Sequence, residues 1–142
     1  KETYYKGWQG RDGCRTMFPW TEEINAISGW LPVAQTHIPL CAANQERDEN
    51  STLWFTRRFL HWRQKQEALK SGGISFADSR DPEILAFNRH NGTSVMCVFN
   101  LSDEAKKYQL GEFRMNPENS FTRSAKISDR EIALGPYGLA IG

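Results

Sequence analysis

No stretch of this sequence stays apolar for the ~20 residues that a membrane-spanning helix needs, and its start shows no signal-peptide pattern. Charge of one sign is scarce as well. Lysine and arginine number 18 against 17 acids, a formal net charge of +1, and the arginines are dispersed among the acids. A nucleic acid or an anionic membrane therefore finds no basic patch to hold it. Cysteine is sparse and odd in number: Cys14, Cys41 and Cys97 stand far apart with no C-x-x-C pair. That argues against a disulfide framework and suits a reducing compartment, so a cytoplasmic location is expected. Cys14, His37 and Cys41 lack the fourth ligand and the paired spacing of a zinc site; no metal is assigned, and the thiols are read as core. Internal repeats and low-complexity tracts are absent. Three Asn-x-Ser/Thr triplets, at Asn50, Asn91 and Asn100, would matter only in a secretory pathway. The sequence opens with Lys1 rather than Met, which reads as a processed product or a fragment.

What the sequence does have is one long segment of helical period. From Ser51 to Leu69 (STLWFTRRFLHWRQKQEAL), Ser51 is a good N-cap, and Gly72 and Gly73 follow the last apolar residue. At about 100° per residue, Phe55, Phe59, Trp62, Gln66 and Leu69 form one stripe, and Leu53 with Leu60 a second ridge nearly opposite. Arg57, His61, Gln64 and Lys65 make the one continuous polar arc. A helix apolar on two sides needs neighbours on two sides, so this one is expected to be wedged between two bodies.

Before the helix, residues 1–50 have no sustained period, yet Trp8, Phe18, Trp20, Ile24, Ile27, Trp30 and Leu31 are too apolar for disorder. An ordered loop system laid over a larger surface is expected, with helical turns at Thr21 to Ile27 and Leu40 to Gln45. Loops of that kind, held by a rigid scaffold, often line binding sites. After the helix the period changes to 2. Strands are predicted at Ile74 to Ala77, Glu83 to Arg89, Ser94 to Leu101, Lys107 to Leu110, Phe113 to Met115, Lys126 to Ile127, Glu131 to Leu134 and Tyr137 to Ile141. Asn91-Gly92 between two apolar runs marks a hairpin. Val95, Cys97, Phe99 and Leu101, with Leu85 and Phe87 opposite, are predicted to form half of a core. Many short strands between turn signals describe an antiparallel sandwich or barrel.

The chemically densest stretch is Gly10 to Trp20, GRDGCRTMFPW. Arg11 and Arg15 flank Asp12, and two readings fit them. An arginine held by a carboxylate can donate paired hydrogen bonds to vicinal hydroxyls, beside aromatic faces that pack on a sugar ring. Alternatively the three charges pin the loop as an ion-pair network, with Trp20 simply buried.

GRDGCRTMFPW, then GWLPV at Gly29 to Val33, NQERDENSTLWFTRRFLHWRQ and ILAFNRHNGTSVMCVFNLS, resemble the C-terminal part of α-glucosidases of the α-amylase superfamily, closest to the bacterial α-1,4-glucosidase type. Those enzymes commonly carry Arg-Asp-Gly-Cys-Arg-Thr-Pro-Met-Pro-Trp, from which this chain departs at Met17 and Phe18. The resemblance implies that residues 1–72 are the end of an (α/β)8 barrel, with loops at its mouth and its last helix, and that residues 73–142 are a small antiparallel β-sandwich. It implies substrate binding by Arg15 or Arg11, Arg15 being preferred, with Asp12 beside them, and a retaining hydrolysis of terminal α-linked glucose. The family's nucleophilic Asp, acid/base Glu and Asn-His-Asp triplet precede the part that this chain resembles. No catalytic residue is therefore assigned, and no cofactor. Two carboxyls about 5–5.5 Å apart are required for retention, and the neighbours Glu22-Glu23 and Asp48-Glu49 read as solvated turns. The alternative is a non-catalytic β-sandwich module for carbohydrate binding or interaction, weakened by the absence of tryptophan after Trp62. Sucrose isomerases, oligo-1,6-glucosidases and trehalose synthases share the architecture that the resemblance implies.

With Trp8, Trp20, Trp30 and half the helix turned towards an absent barrel, the apolar area would exceed what a monomer tolerates in one patch. The isolated chain is expected to self-associate or to hold its first fifty residues loosely. A rigid monomer by light scattering and hydrogen exchange would count against this.

Overall fold

The structure is a computed structural model that describes residues 16–23, 33 and 35–142. The chain divides into two compact units, Lys1–Arg58 and Phe59–Gly142. Trp8, Cys14, Trp30 to Pro32 and the second half of the Thr21 to Ile27 turn lie outside the described residues.

In the first unit a 3₁₀ segment, Gln35–Leu40, leads into helix α1, Ala42–Arg47. The helical turn predicted at Leu40 to Gln45 is thus present, displaced by two residues because Pro39 holds the preceding chain in the tighter 3₁₀ form. A turn then starts helix α2, Thr52–Gln64. Ser51 caps α2 as its sequence position predicts, its hydroxyl accepting from Trp54 N at 3.3 Å and donating to Gln45 O at 2.7 Å. A second cap comes from further away, with Gln45 Oε1 accepting from Leu53 N at 3.1 Å.

The predicted single helix from Ser51 to Leu69 is two helices. After α2 the backbone tightens, with Lys65 N bonded to Trp62 O and Gln66 N to Arg63 O at 3.0 Å each. Gln66 is extended, and a short helix α3 runs Glu67–Ser71. Arg63 Nη2 clamps the bend by donating to Leu69 O at 2.9 Å. The bend turns Ala68 and Leu69 onto the sheet beside Val95, Cys97 and Ile141, all buried, so packing rather than a breaker residue sets it. The stripe holds in part: Phe59 and Trp62 pack with Phe121, ring centroids 5.2 and 5.8 Å apart, while Leu60 on the second ridge is exposed. Gly72 is extended at φ −74 instead of left-handed; glycine is needed there because a Cβ would crowd Ala68 O and His90 O.

The second unit carries one antiparallel sheet of β1 Gly73–Phe76, β2 Ile84–Asn91, β3 Thr93–Asn100, β4 Lys106–Gln109, β5 Phe121–Ile127 and β6 Glu131–Ile141, ordered β1-β2-β3-β6-β4 with β5 also on β6. The hairpin at Asn91-Gly92 forms as predicted: Asn91 pairs with Thr93, and Gly92 adopts φ 71. The two strands predicted at Glu131 to Leu134 and Tyr137 to Ile141 are one strand. Its first part pairs with β4 and β5, its last part with β3 and β5, so β6 carries the sheet around a closed core. Gly135-Pro136-Tyr137-Gly138 reads as a turn, yet β5 follows it through a bulge at Ser124, φ 48. A Cβ on Gly138 would lie 2.5 Å from Ser124 O.

Phe113 to Met115 is not a strand. Phe113 N folds back to Leu110 O at 3.1 Å, and Met115 enters the core from irregular chain. The predicted half-core forms in part, and a second interior lies on the other face of the strands. That interior takes Ile84 and Ala86 from β2, Met96 and Val98 from β3, Tyr108 from β4, Leu110 after it, and Ile132, Leu134 and Ala140 from β6. Val95 and Cys97 are buried on the predicted face, beside α3, with Phe87 and Phe99 packed against them, whereas Leu85 and Leu101 are exposed. Both faces of β3 are apolar, so alternation could not tell inside from outside.

Buried Asn100 pins the loop after β3. Its amide donates to Glu104 O at 2.6 Å and Gly135 O at 2.9 Å, and Oδ1 accepts from Ser102 N and Oγ. No helix among the described residues is long and apolar enough to cross a membrane. Ile132 is fully buried where β4, β5 and β6 meet. Ile132→Ala is expected to cost about 3 kcal/mol, read as a lower urea midpoint at unchanged slope.

Candidate functional site

The motif-bearing loop is described from Thr16 onward, and its described part is fastened to α1. The first N–H groups of a helix have no partner inside it. Here Ala42 N donates to Pro19 O and Ala43 N to Trp20 O, each at 3.0 Å, so the loop's own carbonyls complete the helix end. Cys41, fully buried, precedes α1 and accepts from Asn44 N and Gln45 N at 3.1 Å. Asn44 Nδ2 donates to Glu22 Oε1 at 2.6 Å, tying the loop a third time.

These bonds fix the backbone of Pro19 and Trp20 and present two rings. Phe18 and Trp20 meet edge to face, centroids 4.9 Å apart, and both are exposed, Trp20 to 72%. The reading of Trp20 as simply buried is not what this unit shows. An aromatic face held by its backbone can pack on an apolar ligand face at little entropic cost. The sugar-binding candidates Arg11, Asp12 and Arg15 lie outside the described residues.

Behind the loop, α1 and α2 are joined by a charged clamp. Arg57 holds Glu46 through both oxygens, Nη1 to Oε2 at 2.7 Å and Nη2 to Oε1 at 2.5 Å, and its guanidinium lies 5.4 Å from the Trp54 ring centroid. Trp54 Nε1 donates to Glu46 O at 2.9 Å. The Arg57 hydrogen bond holds the Glu46 carboxyl below its ordinary range, outweighing an opposing effect of burial, with the Arg57 charge adding the least. None of these partners was foreseeable from local pattern, since Glu46 and Arg57 lie on different helices.

The neighbouring acids do not form a catalytic pair. Glu22 is bonded to Asn44. Asp48 Oδ1 accepts from Asn50 N at 2.9 Å in a local turn, and Arg58 Nη1 donates to Glu49 O. An open groove of about 540 Å³ runs beside Pro39, Leu40, Gln45 and Ser51, but the Gln45 amide is occupied at both ends, by Leu40 O and Leu53 N. The described part of this unit can therefore orient and contact a ligand, and it supplies no acid and base in separated environments. In the β unit, burial pushes the Cys97 thiol up to about 11, which makes it an inert core group.

No family model matches the chain. A probable alpha-glucosidase of Rhizobium meliloti (strain 1021) is 35% identical over 139 residues, covering 95% of this chain and 25% of that protein. Among solved structures, an alpha-glucosyl transfer enzyme, XgtA, superposes with a TM-score of 0.76 at 31% identity, over 94% of this chain and 26% of its own. A variant of the trehalulose synthase MutB gives 0.80 at 25% identity, over 92% of this chain and 25% of its own. The chain spans about a quarter of the length of the relatives it matches.

The Glu46 clamp makes stability depend on pH. A carboxyl whose folded pKa is depressed contributes stability above its unfolded value, and that contribution is lost as pH falls through the folded one. Thermal melts between about pH 5 and about pH 3 should fall more steeply for the natural sequence than for Glu46→Gln; identical slopes would remove the clamp from the account. The motifs, the matched relatives and the shared fold agree: this chain is similar, in sequence and in structure, to the C-terminal part of α-glucosidases of the α-amylase superfamily.

Proposed function

We propose that this chain is the C-terminal part of an enzyme that hydrolyses terminal α-linked glucose from oligosaccharides with retention, and that it has no such activity alone. The observation that carries this reading is the 35% identity to a probable alpha-glucosidase, sustained over 95% of the chain. In this reading residues 1–72 complete the catalytic barrel, and residues 73–142 are the sandwich that follows it. Arg15, or Arg11, with Asp12 grips the hydroxyls of the terminal glucose by paired, charge-assisted hydrogen bonds. The bonds from Ala42 and Ala43 to Pro19 and Trp20 would hold that loop in place while sugar enters. Exposed Leu60 would face the barrel, giving the helix the second neighbour that its two apolar ridges call for.

Glucosyl transfer is the second reading. The 31% identity to an alpha-glucosyl transfer enzyme favours it, and it needs the same glucose grip with a sugar in place of water as acceptor. Both readings place the nucleophile and the acid/base outside these residues.

The pure chain is expected to release no nitrophenol from nitrophenyl α-glucoside, whereas the longer enzyme releases it and gives the α-anomer of glucose first by proton NMR. Release by the chain alone, or the β-anomer first, would overturn the proposal. Transfer products exceeding free glucose would select the second reading.

A further inference from the structure

The β unit carries a groove of its own, about 480 Å³, where the end of α2 meets the start of β3 and the 3₁₀ turn Pro117–Asn119. Its size lies within the range of ligand pockets, and its floor is a fixed aromatic. Trp62 packs against Phe59 and Phe121, and its Nε1 donates to Asn119 O at 3.0 Å. The indole is half-buried and oriented from both ends, so a ligand packing on its open part would not have to order it.

Around this floor stand Lys65, Gln66, Ser94, Glu118 and Asn119. Their side chains make no hydrogen bond or ion pair with any other described residue. The groove thus gathers an ammonium, a carboxylate, two amides and a hydroxyl that have no partner among the described residues. Its charges cancel, so an anion meets Glu118 and a cation meets Lys65. Closely spaced donors and acceptors beside an aromatic floor match a neutral molecule that carries both kinds of group on adjacent carbons and an apolar C–H face.

We propose that this groove binds carbohydrate, a neutral di- or trisaccharide lying against Trp62 with its hydroxyls bonded to Gln66 on one wall and to Asn119 and Glu118 on the other. The inference rests on the lining residues and not on the enzyme reading; it holds or fails whether or not the parent cleaves glucosides.

The test is a titration of the ¹⁵N-labelled chain with maltotriose, following the Trp62 indole N–H and the Gln66 and Asn119 side-chain amides. Saturable shifts of these signals at millimolar sugar are expected, with no saturable shift from sodium sulfate or putrescine. Asn119→Ala and Gln66→Ala each remove one wall's amide and leave the backbone bond from Trp62 to Asn119 intact. Each should weaken binding at least fivefold, with the remaining amide spectrum of the β unit unchanged. Absence of saturable shifts with sugar, affinity unchanged in both variants, or sulfate or putrescine saturating the same signals would each overturn the proposal.

Discussion

Burial of β3 on both faces is the constraint from which the rest of the β unit follows. Residues 95–98 are all buried, so the strand must have an apolar body above it and another below. Below, Met96 and Val98 enter the interior formed by the curled sheet. Above, Val95 and Cys97 need cover, and Ala68 and Leu69 supply it. A straight helix would have carried those two residues past the strand. The bend at Gln66 brings them down, and the apolar area it removes from water outweighs the hydrogen bonds lost at one helical turn.

The same economy of contacts explains the first unit. Helix α1 is too short to be stable alone, and the described part of the motif loop, from Thr16, forms no helix or strand. Each completes the other, because the carbonyls of Pro19 and Trp20 are the partners that the N–H groups of Ala42 and Ala43 lack. Gln45 performs the corresponding service for α2, and the bidentate Arg57–Glu46 pair closes the arrangement. The described part of the motif loop is thereby built on helix ends instead of on a strand ladder. Its exposed rings are positioned by backbone bonds that no ligand has to make.

Legibility in the sequence followed the range of the responsible interaction. The start of α2 was readable because Ser51 caps it locally, and the β2–β3 hairpin because Asn91-Gly92 dictates a tight turn. The bend at Gln66 was not, since QKQEAL contains no breaker and the cause lies across space in Val95 and Cys97. Continuity of β6 was hidden behind Gly135-Pro136, two residues that ordinarily end strands, and was restored by the bulge at Ser124. The inward face of β3 was undecidable from alternation because both faces are apolar. Trp20 was recognised as part of a motif, while its exposure depended on bonds to residues more than twenty positions away. The arginines stand out as chemistry through Asp12 between them, and the proposal that they bind sugar rests on family resemblance alone.

The pairing of β6 with β3, β4 and β5 also sets an order of events during synthesis. The β1–β2–β3 meander is built from sequence neighbours and can form as it leaves the ribosome, but its inner face stays wet until β6 arrives. Ile132, Leu134 and Ala140 all come from that last strand. The sheet therefore closes only once β6 has emerged, and until then β3 offers an open edge that another nascent chain could pair with.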